Sequence, residues 1–244
     1  MRISADKINW TLAFGEMALI VIGILMALAI DSYADRRADE AQAAVYLNDL
    51  VTELQSDKLF FEKRSEGLGK LIDAATQLLQ QVEGEGQITD DPVALLLGAI
   101  AGETVTREPV IWVEMQVTGT LRLIPNSKTR TAIVGYYLDR ASWAKVIDEN
   151  FVPAVRELRA LAWDVLPVEV FPRYFQTLQS GAEFSSGVSR TSVMTGFQSR
   201  ADTIYLLKRV IVTGTVARSN LKRGADKTTA LIAHITGDSP LLNH

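Results

Sequence analysis

A long apolar segment near the N-terminus constrains this chain more than any other feature. Residues 10–30 are 21 consecutive positions in which Glu16 is the only charged side chain. At about 1.5 Å of rise per residue, this segment forms roughly 31 Å of helix, which matches a hydrocarbon core of roughly 30 Å. The pattern predicts a transmembrane helix over residues 10–31, a short tail over residues 1–9, and the lipid bilayer as the first partner.

The acidic side chain inside the apolar segment needs an explanation. If Glu16 lay among the headgroups, only about 21 Å of helix, residues 17–30, would remain to cross the bilayer. We therefore expect Glu16 within the membrane, where an ionised carboxylate costs about 2 kcal/mol or more. Three alternatives are open: protonation near the interface, contact with a second copy, or contact with another membrane protein. The second is favoured because small residues share a face with the carboxylate. The predicted helix interface is Gly15, Glu16, Leu19, Gly23 and Ala27.

A cleaved signal peptide is the alternative to an uncleaved anchor. Arg2 and Lys7 precede the apolar run, and residues 27–29 read Ala-Leu-Ala, which resembles a cleavage site. The run is longer than an ordinary signal-peptide core and contains Glu16, which favours the anchor. Lys and Arg are equally frequent on the two sides, so the short tail decides the orientation. We expect that tail to stay inside and the large domain to be periplasmic.

Apolar side chains then recur at alternating spacings of three and four from Leu47 to Val82, within a predicted long helix of about residues 38–83. This 3.5-residue period is typical of a long helix with a coiled-coil seam. The seam positions are Leu47, Leu50, Leu54, Asp57, Phe61, Arg64, Leu68 and Leu71. Asp57 and Arg64 interrupt the apolar pattern. Three interpretations are open: the two residues specify the register of the paired helices, they pair across chains, or they form an exposed polar patch.

The remaining chain also has helical patterns. A second long pattern covers residues 196–236 and has about the length of the first, which predicts an antiparallel pair. Capping residues, Pro and Gly mark short helices within about residues 90–166, whereas residues 180–196 are typical of a polar loop. No useful stretch alternates with period two. The predicted fold is all-α. One N-terminal transmembrane helix continues into a long helix, which packs with the C-terminal long helix and the short helices in an extramembrane domain of residues 32–244.

Two sequence blocks resemble a known family. They are FGEMALIVIGILMALAIDSYADRRADE at residues 14–40 and VTGTLRLIPNSKTRTAIVGYY at residues 117–137. Both are similar to blocks of small bacterial single-pass membrane proteins, the domain-of-unknown-function 6090 family. The family-motif positions that the resemblance implies are Gly119, Asn126, Arg130, Tyr136 and Tyr137. The resemblance implies a bacterial inner-membrane location and carries no activity.

Composition and motifs narrow the chemistry. The net charge of −4 argues against nucleic acid, which requires a basic face. The chain has no cysteine and only two histidines, so thiolate chemistry is excluded and a histidine-based centre is disfavoured. No phosphate-binding loop or nucleophile elbow occurs, and residues 83–91 lack the ligand order of a calcium loop. Three cations flank a turn where an anion would fit, although solvated charges explain them more simply. These cations are Arg122, Lys128 and Arg130. We predict no catalytic residue, metal or cofactor.

Two hypotheses about function follow. In the first, the protein is not an enzyme but a membrane-anchored helical scaffold, sensor or interaction module with a protein partner. It self-assembles into a homo-oligomer through the transmembrane helix and the first long helix. In the second, the homo-oligomer is an ion channel or pore with a ring of Glu16 side chains near one mouth, which favours cations. The otherwise apolar face of the span is a poor pore lining, so the first hypothesis leads.

Overall fold

The computed structural model describes residues 10–84, 91–101, 106–180 and 184–238. The α-helices are α1 (Trp10–Glu83), α2 (Pro92–Ile100), α3 (Val110–Thr118), α4 (Ser127–Val146), α5 (Val152–Val165), α6 (Val170–Ser180), α7 (Arg190–Gln198) and α8 (Thr203–Asp238). A 3₁₀ turn (Thr120–Leu123) precedes α4, and a π-helical turn (Ile147–Phe151) joins α4 to α5. These ranges contain no strand, so the predicted all-α class is confirmed. The predicted tail, residues 1–9, lies outside them.

The first helix runs without interruption from the apolar segment into the folded domain. Residues 14–42 are all exposed, and Ala43 is the first buried position. These 29 exposed residues correspond to about 43 Å of helix that extends from the domain. Within α1, the most apolar 18-residue window has a mean hydropathy of 2.1 and is not buried. By length and composition α1 is able to cross a membrane, and this segment is not a core helix of the domain.

The coiled-coil seam of α1 is buried by the same chain. At one end Lys208 of α8 contacts Glu83 of α1 at 2.7 Å, and at the other end Ile235 and Leu47 belong to one apolar cluster. The two long helices are therefore antiparallel, as predicted. The seam leucines are buried in this arrangement, so the expectation that they join two copies is wrong for the folded domain. Two matched apolar faces on one chain meet at a high effective concentration, which favours the intrachain pair.

Small residues let α8 approach its neighbours closely. A Cβ added at Gly224 would lie 3.2 Å from the Phe61 ring, and one at Gly214 would lie 3.2 Å from Ile72 and 3.3 Å from Phe151. Gly214 interrupts the apolar pattern of α8 in the sequence, and Gly224 lies beside it. In the structure they are the positions at which large side chains of α1 and the π-helical turn fit against α8.

The predicted polar loop over residues 180–196 is wrong in its second half. Residues 190–198 form α7, and its Val193, Met194 and Phe197 are buried in the core. The long C-terminal helix accordingly begins at Thr203 rather than near residue 196. Helix α6 was not predicted either. Short helices of this kind depend on tertiary packing of a few apolar side chains, which local propensity does not reveal.

The core has two parts. The proximal core, nearer the candidate span, contains Leu47, Leu50, Leu54, Met115, Ile124, Ile133, Tyr136, Tyr137, Leu231 and Ile235. The distal core is formed by the far half of α1 with α2, α5, α7 and the first half of α8. Asp57 lies between the two parts, because Leu54 precedes it in the proximal core and Phe61 follows it in the distal core.

Candidate functional site

A buried ion pair lies where the two core regions meet. Arg140 Nη1 is 2.8 Å from Asp57 Oδ2, and the two side chains are 7% and 1% exposed. The Nη1 contact is poorly aligned for a hydrogen bond, so the attraction is mainly electrostatic. Arg140 Nη2 donates to the Arg107 carbonyl oxygen at 2.6 Å and lies 3.4 Å from Asp57 Oδ1. Asp57 therefore pairs within the chain, which answers the question raised by its position in the seam.

The second polar position in the seam behaves differently. Arg64 is half-buried, and its guanidinium carbon lies 5.4 Å from the centre of the Phe60 ring. This contact is between neighbouring turns of α1. Asp57 makes a long-range contact that ties α1 to α4.

A second carboxylate orders the surroundings of this pair. Glu53 accepts a hydrogen bond from the Tyr137 hydroxyl at 2.8 Å and another from the Ile111 backbone N–H at 2.7 Å. The Tyr137 ring is stacked on Trp112, with ring centres 4.5 Å apart and planes 6° apart. Glu53 thus connects α1 to α3 and α4, although the sequence analysis did not single it out. Glu53 lies outside the apolar seam of α1, so the 3.5-residue repeat gave no reason to expect a structural role for it.

The electrostatic consequences follow from burial. Loss of hydration raises the pKa of Asp57 from 3.8 to about 6, because burial disfavours the charged carboxylate more than the Arg140 guanidinium stabilises it. Glu53 adds to this rise, and Arg107 opposes it. Burial also raises the pKa of Tyr136 to about 12, and burial together with the Glu53 carboxylate raises the pKa of Tyr137. Both tyrosines are therefore neutral hydrogen-bonding groups at neutral pH.

The family-motif positions have structural roles in this region. Gly119 ends α3 with φ of 70°, a left-handed conformation that favours glycine. Asn126 caps α4, where its side chain accepts from the Lys128 and Thr129 backbone N–H groups at 2.8 and 3.4 Å. Arg130 donates to the carbonyl oxygens of Ile124 and Pro125.

The contacts of the two motif tyrosines complete this account. The Tyr136 hydroxyl lies 2.8 Å from Thr228 Oγ1 of α8, and Tyr137 bonds Glu53 of α1. Both rings belong to the proximal core. Of the three cations that flank the turn, Arg130 is engaged by carbonyl oxygens, whereas Arg122 and Lys128 are exposed, in agreement with the simpler interpretation as solvated charges.

A larger open cavity lies at the other end of the domain. We call it the aromatic groove. It has a volume of about 580 Å³ and is lined by Leu97, Ile100, Ala101, Arg159, Trp163, Phe171, Tyr174, Phe175, Leu178 and Gln179. Helices α2, α5 and α6 contribute these side chains. The volume is within the usual range of small-molecule sites, roughly 300–1,000 Å³.

The walls of the aromatic groove are ordered by ring contacts. Trp163 and Phe171 are stacked, with ring centres 3.8 Å apart and planes 20° apart, and Tyr174 makes an edge contact with Phe184 at 5.1 Å. Trp163, Phe175 and Leu178 are nevertheless 49%, 61% and 58% exposed. Clustered exposed apolar side chains mark an interaction surface rather than an incomplete core. The groove was not predicted from the sequence, because α6, which supplies half of its lining, was not predicted.

The polar groups of the aromatic groove are few. Arg159 Nη2 donates to the Ile100 carbonyl oxygen at 2.9 Å, which ties α5 to the end of α2. Gln179 is an exposed lining residue near the end of α6. The lining is thus mainly aromatic and aliphatic, and its chemistry is that of a binding site for an apolar molecule.

The predicted helix interface lies on the exposed part of α1. Gly15, Glu16, Leu19, Gly23 and Ala27 are all exposed, and no atom lies within 4 Å of a Cβ added at either glycine. This face is therefore open to another helix. Most of the acidic segment that lacks calcium-loop order, residues 85–90, lies outside the described ranges. Among the residues that are described, no group of three or more His, Asp or Glu side chains is arranged to hold a metal.

The fold defines the protein as an all-α chain with one candidate membrane-spanning helix. Comparisons with protein-family models, curated proteins and solved structures find no match to the chain. Function therefore has to be argued from the geometry of the two sites.

Proposed function

We propose that this protein is a non-catalytic, membrane-anchored binding module whose ligand is an apolar, ring-containing small molecule. The observation that carries the proposal is the aromatic groove, with its volume of about 580 Å³ and its stacked Trp163 and Phe171 walls. An aromatic wall recognises another flat ring by offset stacking and apolar contact. The exposed part of α1 serves as the anchor.

The size of the aromatic groove favours a small molecule over a helical peptide. A helix with its side chains is about 10–12 Å in diameter, so even two turns occupy more than the available volume. The position of the groove argues against the bilayer itself as the occupant. Gly98 of α2 packs on Ala74, which is about 65 Å along α1 from Ile30 at the end of the apolar run. The ligand therefore comes from the aqueous side.

Energy transfer to a neutral fluorescent probe tests this function. Full-length protein in lipid nanodiscs is titrated with N-phenyl-1-naphthylamine, and tryptophan-sensitised emission of the probe is recorded. We expect a saturable signal from Trp163, since this residue lines the aromatic groove. Probe dissolved in the bilayer lies too far along α1 to accept energy from Trp163, and Trp163→Phe measures any remaining contribution of the other tryptophans.

A matched pair of leucines provides the control. Leu178→Glu places a charge in the aromatic groove and should weaken binding by tenfold or more. Leu138 is 67% exposed on α4 and does not line the groove, so Leu138→Glu should leave binding unchanged. Equal binding by wild type and Leu178→Glu, or a signal that survives Trp163→Phe in full, would reject the proposed site.

Self-association through the candidate span remains part of the proposal. It is supported by the open face around Gly15 and Gly23 and by the need of Glu16 for a polar partner in lipid. The seam of α1 is excluded from this role because α8 buries it. Light scattering of full-length protein in a mild detergent should give a mass above that of the monomer. Gly23→Leu should lower that mass, whereas the neighbouring Ile24→Leu should not. A monomeric mass for the wild type would reject self-assembly, whereas the proposed ligand binding in the aromatic groove does not depend on that result.

A further inference from the structure

A small cavity adjoins the buried ion pair through Arg140. Its volume is about 30 Å³, which is close to the space that one water molecule or one monatomic ion occupies. It lies between α1, α4, α8 and the segment before α3. The lining residues that matter here are Phe61, Thr106, Arg107, Arg140, Trp143 and Asn220.

The lining contains one carboxamide side chain, that of Asn220 of α8. Asn220 is only 9% exposed, and its amide carries two N–H donors and one acceptor. A polar side chain that lines a small cavity stabilises a polar guest there, because the guest supplies hydrogen bonds that an apolar one cannot.

The donors around the cavity determine what kind of guest fits. Arg107 and Arg140 carry N–H donors and no acceptor, and the Asn220 amide and Thr106 hydroxyl add further donors. Arg140 Nη1 is also buried without an aligned acceptor. A cation would face two guanidinium groups, whereas an anion would be met by donors and positive charge. The lining therefore selects an anion.

The charge of the cluster depends on one carboxyl group. Arg107 and Arg140 are balanced by Asp57 and Glu53, and Glu53 is occupied by the Tyr137 hydroxyl and the Ile111 N–H. When Asp57 is ionised, the charges of these two arginines and two carboxylates add up to zero. With Asp57 protonated they carry one net positive charge beside the cavity. The pKa of Asp57, raised by burial to about 6, brings this change into a mildly acidic range.

The other charged groups near the cavity do not alter this balance. Lys227 of α8 lies 5.7 Å from the centre of the Trp143 ring, and it is paired with Asp139 of α4. Tyr137 faces Arg140 as a neutral ring at 5.8 Å. From α1 the facing groups are Glu53 and Asp57, and from the segment before α3 the facing group is Arg107.

We propose that this cavity binds a single halide-sized anion through Arg107, Arg140 and Asn220, and that the anion is taken up together with a proton on Asp57. The bound anion replaces the ionised carboxylate as counter-charge of Arg140. Binding therefore strengthens as the pH falls. If only the protonated cluster is competent, the apparent affinity is scaled by the protonated fraction of Asp57, which makes binding about 25-fold tighter at pH 5.5 than at pH 7.5.

Halide titrations of the full-length protein in a non-ionic detergent test this site. Sodium chloride is compared with sodium gluconate at equal ionic strength, at pH 5.5 and at pH 7.5, with thermal unfolding followed by circular dichroism. We expect chloride to raise the Tm at pH 5.5 and to have little effect at pH 7.5. Bromide should also quench the fluorescence of Trp143 with saturation, and Trp143→Phe should remove that component.

Three variants sharpen the result. Asn220→Leu should abolish the chloride effect, while Asn48→Leu, a change at an exposed asparagine of α1, should preserve it. Asp57→Asn mimics the protonated carboxyl and should make chloride binding independent of pH. The same Tm in chloride and gluconate at both pH values would show a bound water only and overturn the proposal. A chloride effect that persists in Asn220→Leu would overturn it as well. Both wild-type measurements remain decisive if a variant does not fold.

Discussion

The raised pKa of Asp57 makes domain stability depend on pH in an unusual direction. Most carboxylates in folded proteins stabilise the native state when they are ionised, so stability is lost as the pH falls. Asp57 is the opposite case, because its pKa is about 6 in the folded state and 3.8 as the ordinary value. Between these two values the folded state binds the proton more tightly than the unfolded chain. Its contribution to stability is therefore full below pH 3.8 and is lost as the pH rises through about 6.

The size of the effect follows from the shift. A change of about two pKa units corresponds to about 3 kcal/mol in the free energy of unfolding. The perturbation is Asp57→Asn, which removes the titration and keeps the shape of the side chain. The other carboxylates contribute alike to wild type and variant, so the difference between their pH profiles isolates Asp57. The free energy of unfolding of wild type minus that of the variant should fall by about 2.5 kcal/mol between pH 4 and pH 7.5, because the full effect of about 3 kcal/mol is reached only at lower pH.

Denaturant unfolding of the full-length protein in a non-ionic detergent measures this difference. The titration is performed in gluconate so that halide binding does not contribute to the result. Loss of helical circular dichroism reports unfolding of the domain. A flat difference profile would mean that Asp57 is not perturbed. A difference that increases with pH would mean that the attraction to Arg140 outweighs the loss of hydration, which would refute the reasoning from burial.

Three further predictions concern the same domain. Arg140→Met should lower the free energy of unfolding by about 3–5 kcal/mol at pH 7.5, because it leaves the Asp57 carboxylate buried without its cation. Adding Asp57→Leu should restore much of this loss, and denaturant unfolding measures both variants. Phe151→Ala should cost about 3–5 kcal/mol, since this ring is 2% exposed and packs against α8, whereas Phe175→Ala at the exposed rim of the aromatic groove should cost far less in the same assay. Asn126→Ala should cost about 1 kcal/mol through loss of the α4 cap, visible as a lowered Tm; an unchanged Tm would show that the cap is replaced by solvent.

The sequence predicted local and periodic features well. The apolar run and the 3.5-residue repeat identified α1, and the capping residues, Pro and Gly marked short helices in the region where α2 to α5 lie. Each of these signals lies within a few neighbouring turns of the chain. Helix α7 and the aromatic groove had no such signal, because their apolar side chains are too few to show a period and are brought together from separate helices.

The sequence by itself therefore determined that the chain is helical, that its N-terminal segment is apolar enough for a membrane, and which face of α1 is buried. Only the tertiary structure decided what buries that face. A seam that packs against α8 of the same chain has the same periodicity as one that packs against a second copy, since periodicity records the buried face but not its partner. The same reason applies to Asp57. Its place in the seam marked it as unusual, but the cation opposite it comes from 83 residues further along the chain.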